Sequence, residues 1–206
     1  MAPNASIRKA AHWDVQYRAS RLPWETGQPS TELKRVLRDI SLRPGKAVEL
    51  GCGTGTNAVW LAGQGWEVTA VDLSVQAIRK ARRRAAEAGV RVQFLVGDLT
   101  DPFLLQGPFE FFFDRGCYHA VRLADAAGYH RTLKRITRPG TLGLVLMGNA
   151  EEPEEKTGPP VVSRQEICEE WAGHFEILAL RPFRFDPRRP GERRYLGWSC
   201  LVRRRA

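Results

Sequence analysis

Three glycines alternate with other residues directly after a short apolar run, in the stretch VELGCGTGTNAVWLA at residues 48–62. They are Gly51, Gly53 and Gly55. Glycine has no side chain beyond the α-carbon, so alternate glycines let the backbone come very close to a ligand. A carboxylate, Glu49, stands just before the first glycine. A negative charge at this point suits a cationic ligand group and opposes a pyrophosphate.

Two further acids follow the next two apolar runs. Asp72 comes 17 residues after Gly55, and Asp98 follows the run at 90–96. An acid at the end of the second strand can accept hydrogen bonds from both hydroxyls of a ribose. Asp98 is placed to reach an adenine edge. The three acids therefore predict a ligand with ribose, adenine and a positive charge in place of phosphates.

Two other nucleotide loops fit this stretch poorly. A nucleoside triphosphate loop requires a glycine, four further residues and then Gly-Lys-Ser/Thr, and no lysine follows here. The dinucleotide fingerprint G-x-G-x-x-G expects a third glycine at position 56, which is Thr56. These departures exclude a triphosphate and disfavour a dinucleotide.

The elements around the loop alternate between strand and helix. Strands are predicted at 47–50, 66–71, 90–96, 109–113 and 141–147, with helices at 30–40, 56–64, 74–88 and 124–137. This alternation predicts right-handed crossovers and a Rossmann-like, doubly wound α/β fold, a mostly parallel sheet with helices on both faces. Ser163 and Glu166 form a capping-box pattern. Two adjacent strands at 175–180 and 195–202 predict an antiparallel hairpin at one edge. Residues 1–30 are expected to be irregular.

Length and composition suit one domain. The chain has 206 residues, 43% of them hydrophobic, which is enough for one core. We predict a single domain over 1–206: an aromatic lid and helix at 1–45, a ligand-binding core at 46–148, and a remainder at 149–206 that completes the sheet. No apolar run of about 18 residues predicts a membrane span. No secretory signal is expected.

Net charge and cysteine content say less about function than the motifs do. The net charge is +9, carried mainly by arginine, and basic chains bind nucleic acid, membrane surfaces or anionic ligands, or simply expose solvated faces. No aromatic residues interleave with the arginine runs, so nucleic acid binding is not expected. The four cysteines match no zinc pattern, which predicts reduced thiols, no metal and a cytoplasmic protein.

Residues 47–99 resemble a class I S-adenosylmethionine-dependent methyltransferase, through VELGCGTG, AVDLS and VGDL in that order. The resemblance implies S-adenosylmethionine as cofactor and S-adenosylhomocysteine as product. The cofactor contacts it implies are Glu49, Gly51, Gly53, Gly55, Asn57, Asp72, Leu73, Asp98, Leu99 and Asp114. The glycines would line the methionine tail and Asp72 would hold the ribose. Leu73 would pack on adenine, whose amino edge would meet Asp98 and Leu99. Asn57 touches the tail or only begins a helix.

The lead-in HWDVQYRASRLPWETGQPS resembles the N-terminal signature of the thiopurine, thiol and halide methyltransferase group, where aromatics cover the sulfonium. The implied aromatics are Trp13, Tyr17 and Trp24, with Tyr17 where relatives often carry tryptophan. DRGCYHAV resembles the loop after strand four in this group and in tellurite-resistance-type relatives. The Asp/Asn-Pro-Pro-Tyr motif of nucleic-acid and protein N-methyltransferases is absent from this place.

This arrangement suits methyl transfer by in-line displacement. Aromatic faces attract a sulfonium by ~1–2 kcal/mol when desolvated, and a lid that excludes water makes a thiolate or iodide a better nucleophile. Alignment provides most of the acceleration, so no metal is needed. The candidate catalytic residues are Tyr17, Arg115 and His119. Arg115 either steers an anionic acceptor or pairs with Asp114. His119 either acts as a base or has a structural role. Cys117 either forms a methylated intermediate or only packs against its neighbours.

The sequence therefore predicts a methyltransferase for a small thiol, thiopurine, halide or chalcogen oxyanion. Two alternatives stay open: a larger acceptor such as RNA, drawn in by the arginines, or a cofactor-binding subunit without chemistry of its own. A monomer or weak dimer with a small-molecule substrate and no membrane partner is expected.

Overall fold

The computed structural model describes residues 5–19, 22–151 and 158–206, with side chains from residue 9 onward. The helices are α1 Ala5–Arg18, α2 Thr31–Ile40, α3 Thr56–Gly63, α4 Val75–Glu87, α5 Tyr118–Ile136 and α6 Arg164–Trp171. The strands are β1 Lys46–Leu50, β2 Glu67–Asp72, β3 Gln93–Val96, β4 Phe109–Arg115, β5 Thr137–Asn149, β6 Val161–Val162, β7 Phe175–Arg184 and β8 Leu196–Arg204.

The eight strands of the described residues form one sheet, in the order β3-β2-β1-β4-β5-β8-β7, with β6 added beside β5. β1 pairs in parallel with both β2 and β4, and β4 in parallel with β5. The chain therefore winds outward in opposite directions from β1 and β4, which creates a crevice at their carboxyl ends. The glycine loop and the acids at strand ends lie at this edge.

The core lies on both faces of the sheet. Phe111 and Phe113 of β4 are fully buried in one apolar cluster with Leu33 and Ile78. Phe112, between them, is fully buried in a second cluster on the opposite face. Strands of a parallel sheet covered by helices on both sides need apolar residues in succession. The run FEFFF therefore forms a central strand, and the predicted strand at 109–113 is confirmed.

The N-terminal segment differs from the sequence prediction, because residues 5–18 form the helix α1 instead of an irregular lead-in. The stretch ASIRKAAHWDVQYR contains neither proline nor glycine and holds three alanines, so it has good helix propensity. Pro23 and Gly27 come only after the helix has ended. The aromatic residues that suggested a loop are spaced along α1 and the segment that follows it.

Helix α5 begins at Tyr118, six residues before the predicted start at 124. Asp114 accepts hydrogen bonds from the backbone N–H groups of Cys117 (2.9 Å) and Tyr118 (2.9 Å), which satisfies the first turn. Asp125 interrupts the helix with non-helical angles (φ −159°, ψ 77°). The predicted helix therefore corresponds to the second half of α5.

Several predictions about helix caps and the last two strands are confirmed. Ser30 caps α2, and Ser163 with Glu166 forms the predicted capping box at α6. The final two strands pair antiparallel, with β8 inserted between β5 and β7, and both are longer than predicted. In the part of the chain that the structure describes, none of the helices has the length and hydrophobicity of a membrane span.

Candidate active site

The glycine loop after β1 lies directly against two side chains from elsewhere in the chain. A Cβ atom on Gly53 would lie 2.9 Å from the hydroxyl of Tyr17, and one on Gly51 would lie 2.5 Å from Sγ of Cys117. Both glycines also have positive φ angles, +55° and +66°. Side chains are therefore excluded from the loop by space and by backbone conformation.

Gly55 serves helix packing and lies outside the crevice. A Cβ atom there would lie 2.8 Å from Cβ of Ala81 on α4. Residue 55 also N-caps α3 with φ +77°. The close approach observed here is between the loop and α4, and the ligand contact that the sequence resemblance implies for this glycine stays a prediction.

Asp72 holds the loop and the start of α4 together. One of its carboxylate oxygens accepts the N–H of Gly53 at 2.8 Å, and the other accepts the N–H of Ser74 at 2.8 Å. The side chain is buried, and burial raises its pKa against the lowering effect of these backbone hydrogen bonds. Each oxygen keeps a second lone pair, so the carboxylate can still accept a hydroxyl.

Glu49 is a buried acid with one unsatisfied oxygen. Its Oε1 accepts a hydrogen bond from Nδ2 of Asn57 at 3.0 Å, and Oε2 is buried without a partner. Oδ1 of Asn57 accepts the N–H of Ser30, which fixes the orientation of the amide. Desolvation raises the pKa of Glu49 to about 8, so the free protein carries a neutral carboxyl here at pH 7.

The three predicted aromatics form one cluster over the loop. The rings of Tyr17 and Trp24 meet edge to face at 5.9 Å between centroids, and those of Trp24 and Trp13 at 5.7 Å. Tyr17 is buried, and burial together with the charge of Asp72 raises the pKa of its phenol well above the ordinary value. Tyr17 is therefore a neutral hydroxyl that can donate a hydrogen bond.

Helix α1, which carries two of these aromatics, is anchored on the start of α4. Asp14 accepts hydrogen bonds from Oγ of Ser74 (2.5 Å) and from the N–H of Gln76 (3.2 Å). Nζ of Lys80 donates to the carbonyl of Tyr17 at 2.5 Å. A carboxylate at a helix N-terminus is favoured by the helix dipole. We call α1 and residues 22–28 the lid.

Glu25 and Arg84 belong to the crevice region although the sequence did not single them out. Glu25 accepts hydrogen bonds from the hydroxyls of Thr54 and Thr56 and pairs with Arg84 at 3.7 Å. Arg84 also donates to the carbonyl of Thr54 at 3.0 Å. These contacts lower the pKa of Glu25 although burial opposes them. The signal in the sequence that could have identified Glu25 was its position inside the lead-in motif PWETGQP.

Arg115 points into the crevice and does not pair with its neighbour Asp114. Its Nη1 donates to the carbonyl of Trp24 at 3.0 Å, and its guanidinium lies 5.3 Å from the ring centroid of Phe185. Asp114 is fully buried and accepts from the hydroxyl of Tyr129 at 2.8 Å as well as from the start of α5. These hydrogen bonds give Asp114 a structural role at the start of α5, while its predicted contact with the cofactor stays a prediction.

His119 is held as a neutral donor instead of a base. Its Nδ1 accepts the N–H of Gly148 at 3.0 Å, so the ring hydrogen is on Nε2. Burial and the charge of Arg115 lower the pKa of His119 to about 4. Burial also raises the pKa of the Cys117 thiol, which packs on the glycine loop. Neither side chain is ready to act as base or nucleophile at neutral pH.

A crevice of about 50 Å³ brings together nearly half of the predicted site residues. The predicted residues in its wall are Tyr17, Trp24, Glu49, Gly51, Gly53, Asn57 and Arg115. Trp13, also part of the lid, packs against Trp24 and is not in the crevice wall. Leu73 is half-buried beside Asp72, Asp98 is half-buried and accepts the N–H of Thr100, and Leu99 is buried in the core. In the described part of the chain, no cluster of three or more His, Cys, Asp or Glu side chains could hold a metal.

This sheet order, with a glycine loop after β1 and carboxylates at the ends of β1 and β2, defines a class I S-adenosylmethionine-dependent methyltransferase. The family profile described as thiopurine S-methyltransferase matches residues 8–191. The chain belongs to that family.

Individual relatives agree with this assignment. A 2-heptyl-1-hydroxyquinolin-4(1H)-one methyltransferase of Mycobacteroides abscessus is 29% identical over 81% of this chain and 74% of its own length. A structure solved for the conversion of a disulfide bond into a thioacetal group during echinomycin biosynthesis matches with a TM-score of 0.81. It is 26% identical, over 95% of this chain and 91% of that one.

A third relative shares the fold. It is the 1,6-didemethyltoxoflavin-N1-methyltransferase of Burkholderia thailandensis, solved with 1,6-didemethyltoxoflavin and S-adenosylhomocysteine. Its TM-score is 0.74 at 23% identity, over 100% of this chain and 93% of that one.

Proposed function

We propose that this methyltransferase acts on a small molecule that presents a soft anionic nucleophile, above all a thiolate. The observation behind the proposal is a half-buried guanidinium, Arg115, in a crevice whose described wall offers no strong proton acceptor at pH 7. The phenol of Tyr17 and the carboxyl of Glu49 are both protonated there, and Glu25 is a weak base. An acceptor that arrives already ionised needs no base.

The residues fit the methyl donor. The buried, unpartnered Oε2 of Glu49 suits an ammonium group, so we propose that Glu49 and Asn57 hold the amino end of the methionine tail. Gly51 and Gly53 would line that tail, and Asp72 would accept the ribose hydroxyls. When bound, the donor supplies a methyl group on a positively charged sulfur, which a nucleophile displaces in line.

The lid has to move for this to happen. The crevice of about 50 Å³ is far below the ~300–1,000 Å³ of ordinary ligand sites, because Tyr17 lies on Gly53. We propose that α1 withdraws to admit the donor and then places Tyr17 and Trp24 over the sulfonium. Closing again would exclude water, and Arg115 would attract the anionic acceptor and orient it.

One kinetic experiment tests the proposal. Methyl transfer from labelled S-adenosylmethionine is measured against pH for a series of thiophenols of different acidity, with iodide, hydrosulfide and a thiopurine as further acceptors. We expect kcat/KM to follow the thiolate fraction of each acceptor, so that the lower limb of the profile moves with the acceptor's pKa. A limb that stays at one pH for every thiol would show an enzyme base and contradict the proposal.

The relatives favour one second candidate, an aromatic N-heterocycle with an acidic hydroxyl or ring N–H. The names of the M. abscessus and B. thailandensis enzymes both contain such a ring system. A hydroxyquinolinone belongs in the same acceptor panel. Turnover of the heterocycle with no turnover of any thiol would select this candidate. An RNA acceptor has no comparable support from these relatives.

A further inference from the structure

A second cavity, of about 410 Å³, lies beside the crevice and is distinct from it. Its wall is built from the lid, the glycine loop, the outer face of α4 and the connection between β7 and β8. Glu25 and Thr54 belong to both walls, so the two spaces are neighbours. Its volume falls within the range of small-molecule sites, ~300–1,000 Å³.

The wall of this cavity is strongly basic. Five cationic side chains line it, namely Lys80, Arg83, Arg84, Arg188 and Arg189. Two carboxylates, Glu25 and Glu87, face them. A concave surface lined by one sign of charge concentrates counter-ions inside it.

The two carboxylates are already engaged. Glu25 accepts from two threonine hydroxyls and the N–H of Gly27. Glu87 pairs with Arg83 at 3.5 Å between exposed side chains, a contact of small value in water. Outside the wall, Glu192 pairs with Arg188 at 2.9 Å, while the Nε of Arg188 is buried without a partner. The cavity therefore keeps an excess of positive charge and a free donor.

We propose that this cavity binds a small, multiply charged anion of the polyphosphate class. Arginine is the side chain best matched to phosphate, because its planar fork makes two parallel hydrogen bonds to phosphate oxygens. With Glu192 counted against Arg188, an excess of about two positive charges remains, which a pyrophosphate or longer group balances in full and a single phosphate at pH 7 only in part. The wall joins four elements, so an anion held there links the lid to α4 and to the β7–β8 connection.

Calorimetry on the full chain at 150 mM salt, without methyl donor, tests this directly. We expect pyrophosphate to bind at least ~10-fold more tightly than orthophosphate, a difference of ~1.4 kcal/mol. Arg83→Gln with Arg189→Gln should lower pyrophosphate affinity by at least ~10-fold, because two charges leave the wall. Arg91→Gln is the matched control, since Arg91 is exposed and lies outside the wall.

Two results would overturn the proposal. The first is pyrophosphate binding no tighter than orthophosphate, or absent. The second is an equal loss in the Arg91→Gln control, which would show diffuse attraction to a basic surface in place of a site. The single variants at 83 and 189 are measured as well, with thermal unfolding of each, so that a folding defect is recognised. S-adenosylhomocysteine titrations in parallel keep the proposed methyl transfer a separate question.

Discussion

The carboxyl group of Glu49 weakens the fold and is proposed to strengthen ligand binding. It is buried with one oxygen unsatisfied, and its pKa in the folded protein is about 8 against an ordinary value near 4.5. Between these two values the unfolded chain is ionised while the folded protein holds the proton, so stability falls as pH rises through this window. Above pH 8 the carboxyl is ionised in both states, so the folded protein bears the full cost of removing this charge from water.

Glu49→Gln should therefore separate stability from binding. The amide carries no charge to desolvate, so we expect the variant to gain thermal stability over the native chain as pH rises from 5 to 8, by ~2–4 °C for each kcal/mol. Its affinity for S-adenosylhomocysteine should fall by ~10-fold or more, because a charge-assisted hydrogen bond is lost. Equal affinity of the two proteins would remove Glu49 from the proposed site.

The proton on Glu49 should also make ligand binding depend on pH. The ionised form is the one that suits an ammonium, and below pH 8 its population rises about tenfold per pH unit. We expect S-adenosylhomocysteine affinity to rise about tenfold from pH 6 to pH 7, below the range where an α-ammonium itself titrates. Calorimetry at the two pH values measures this, and Glu49→Gln should show a flat response.

At the scale of elements, the proposed movement of the lid would have to break the contact between α1 and α4. Asp14 supplies two hydrogen bonds to the start of α4. Asp14→Ala should lower S-adenosylhomocysteine affinity by ~5–10-fold while the melting temperature falls by less than ~4 °C, because the lid loses about 1 kcal/mol of docking and the sheet is untouched. Asp39→Ala, an exposed acid on α2 paired with Arg35, is the control. Equal loss of affinity in both variants would contradict a specific role for the α1 anchor.

A second contact between elements fastens α5 to α6. Glu170 accepts from the hydroxyl of Tyr118 and from Nε of Arg122, whose side chain is 11% exposed. The hydrogen bonds and charge of Arg122 lower the pKa of Glu170 although burial opposes them. A depressed pKa contributes stability that is present above about pH 4.5 and is lost as pH falls below it.

Glu170→Gln should therefore lower the free energy of unfolding at pH 7 by about 2 kcal/mol, the value of a hydrogen-bonded charge. The difference from the native chain should shrink as pH falls from 4.5 toward 3, because the native carboxylate is then protonated too. Urea unfolding across that range measures both effects. Glu169→Gln, the exposed neighbour, should change stability little at any pH, and a similar loss there would point to helix charge instead of the α5–α6 contact.

At the scale of the whole molecule, stability is expected to be uneven. β1 and β4 are central strands with fully buried residues, whereas α1 packs at the periphery through the lid contacts. In hydrogen exchange, amides of β1 and β4 should exchange slowest and those of α1 faster by ~100-fold or more. Saturating S-adenosylhomocysteine should slow the exchange of the α1 amides by ~10-fold or more. An unchanged exchange rate of these amides with ligand bound would argue against a closing lid.

Much of the architecture could be predicted because its signals are local. Ser30 and Ser163 cap their helices through hydrogen bonds to residues three positions ahead. The alternation of strand and helix led to a doubly wound sheet, which the structure confirms. The start of α5 was placed too late, because its cap is the buried Asp114 and not a side chain at the helix boundary.

The sequence by itself determined the glycine loop, the acids at the strand ends and the aromatic signature, because residue type and spacing along one chain are enough to define them. Only the tertiary structure decided what these groups do together. It turned His119 toward Gly148, engaged Asp114 at α5, and brought Arg84 to Glu25. The physical reason is that protonation and hydrogen-bond partners depend on burial and on neighbours distant in sequence, which no local pattern records.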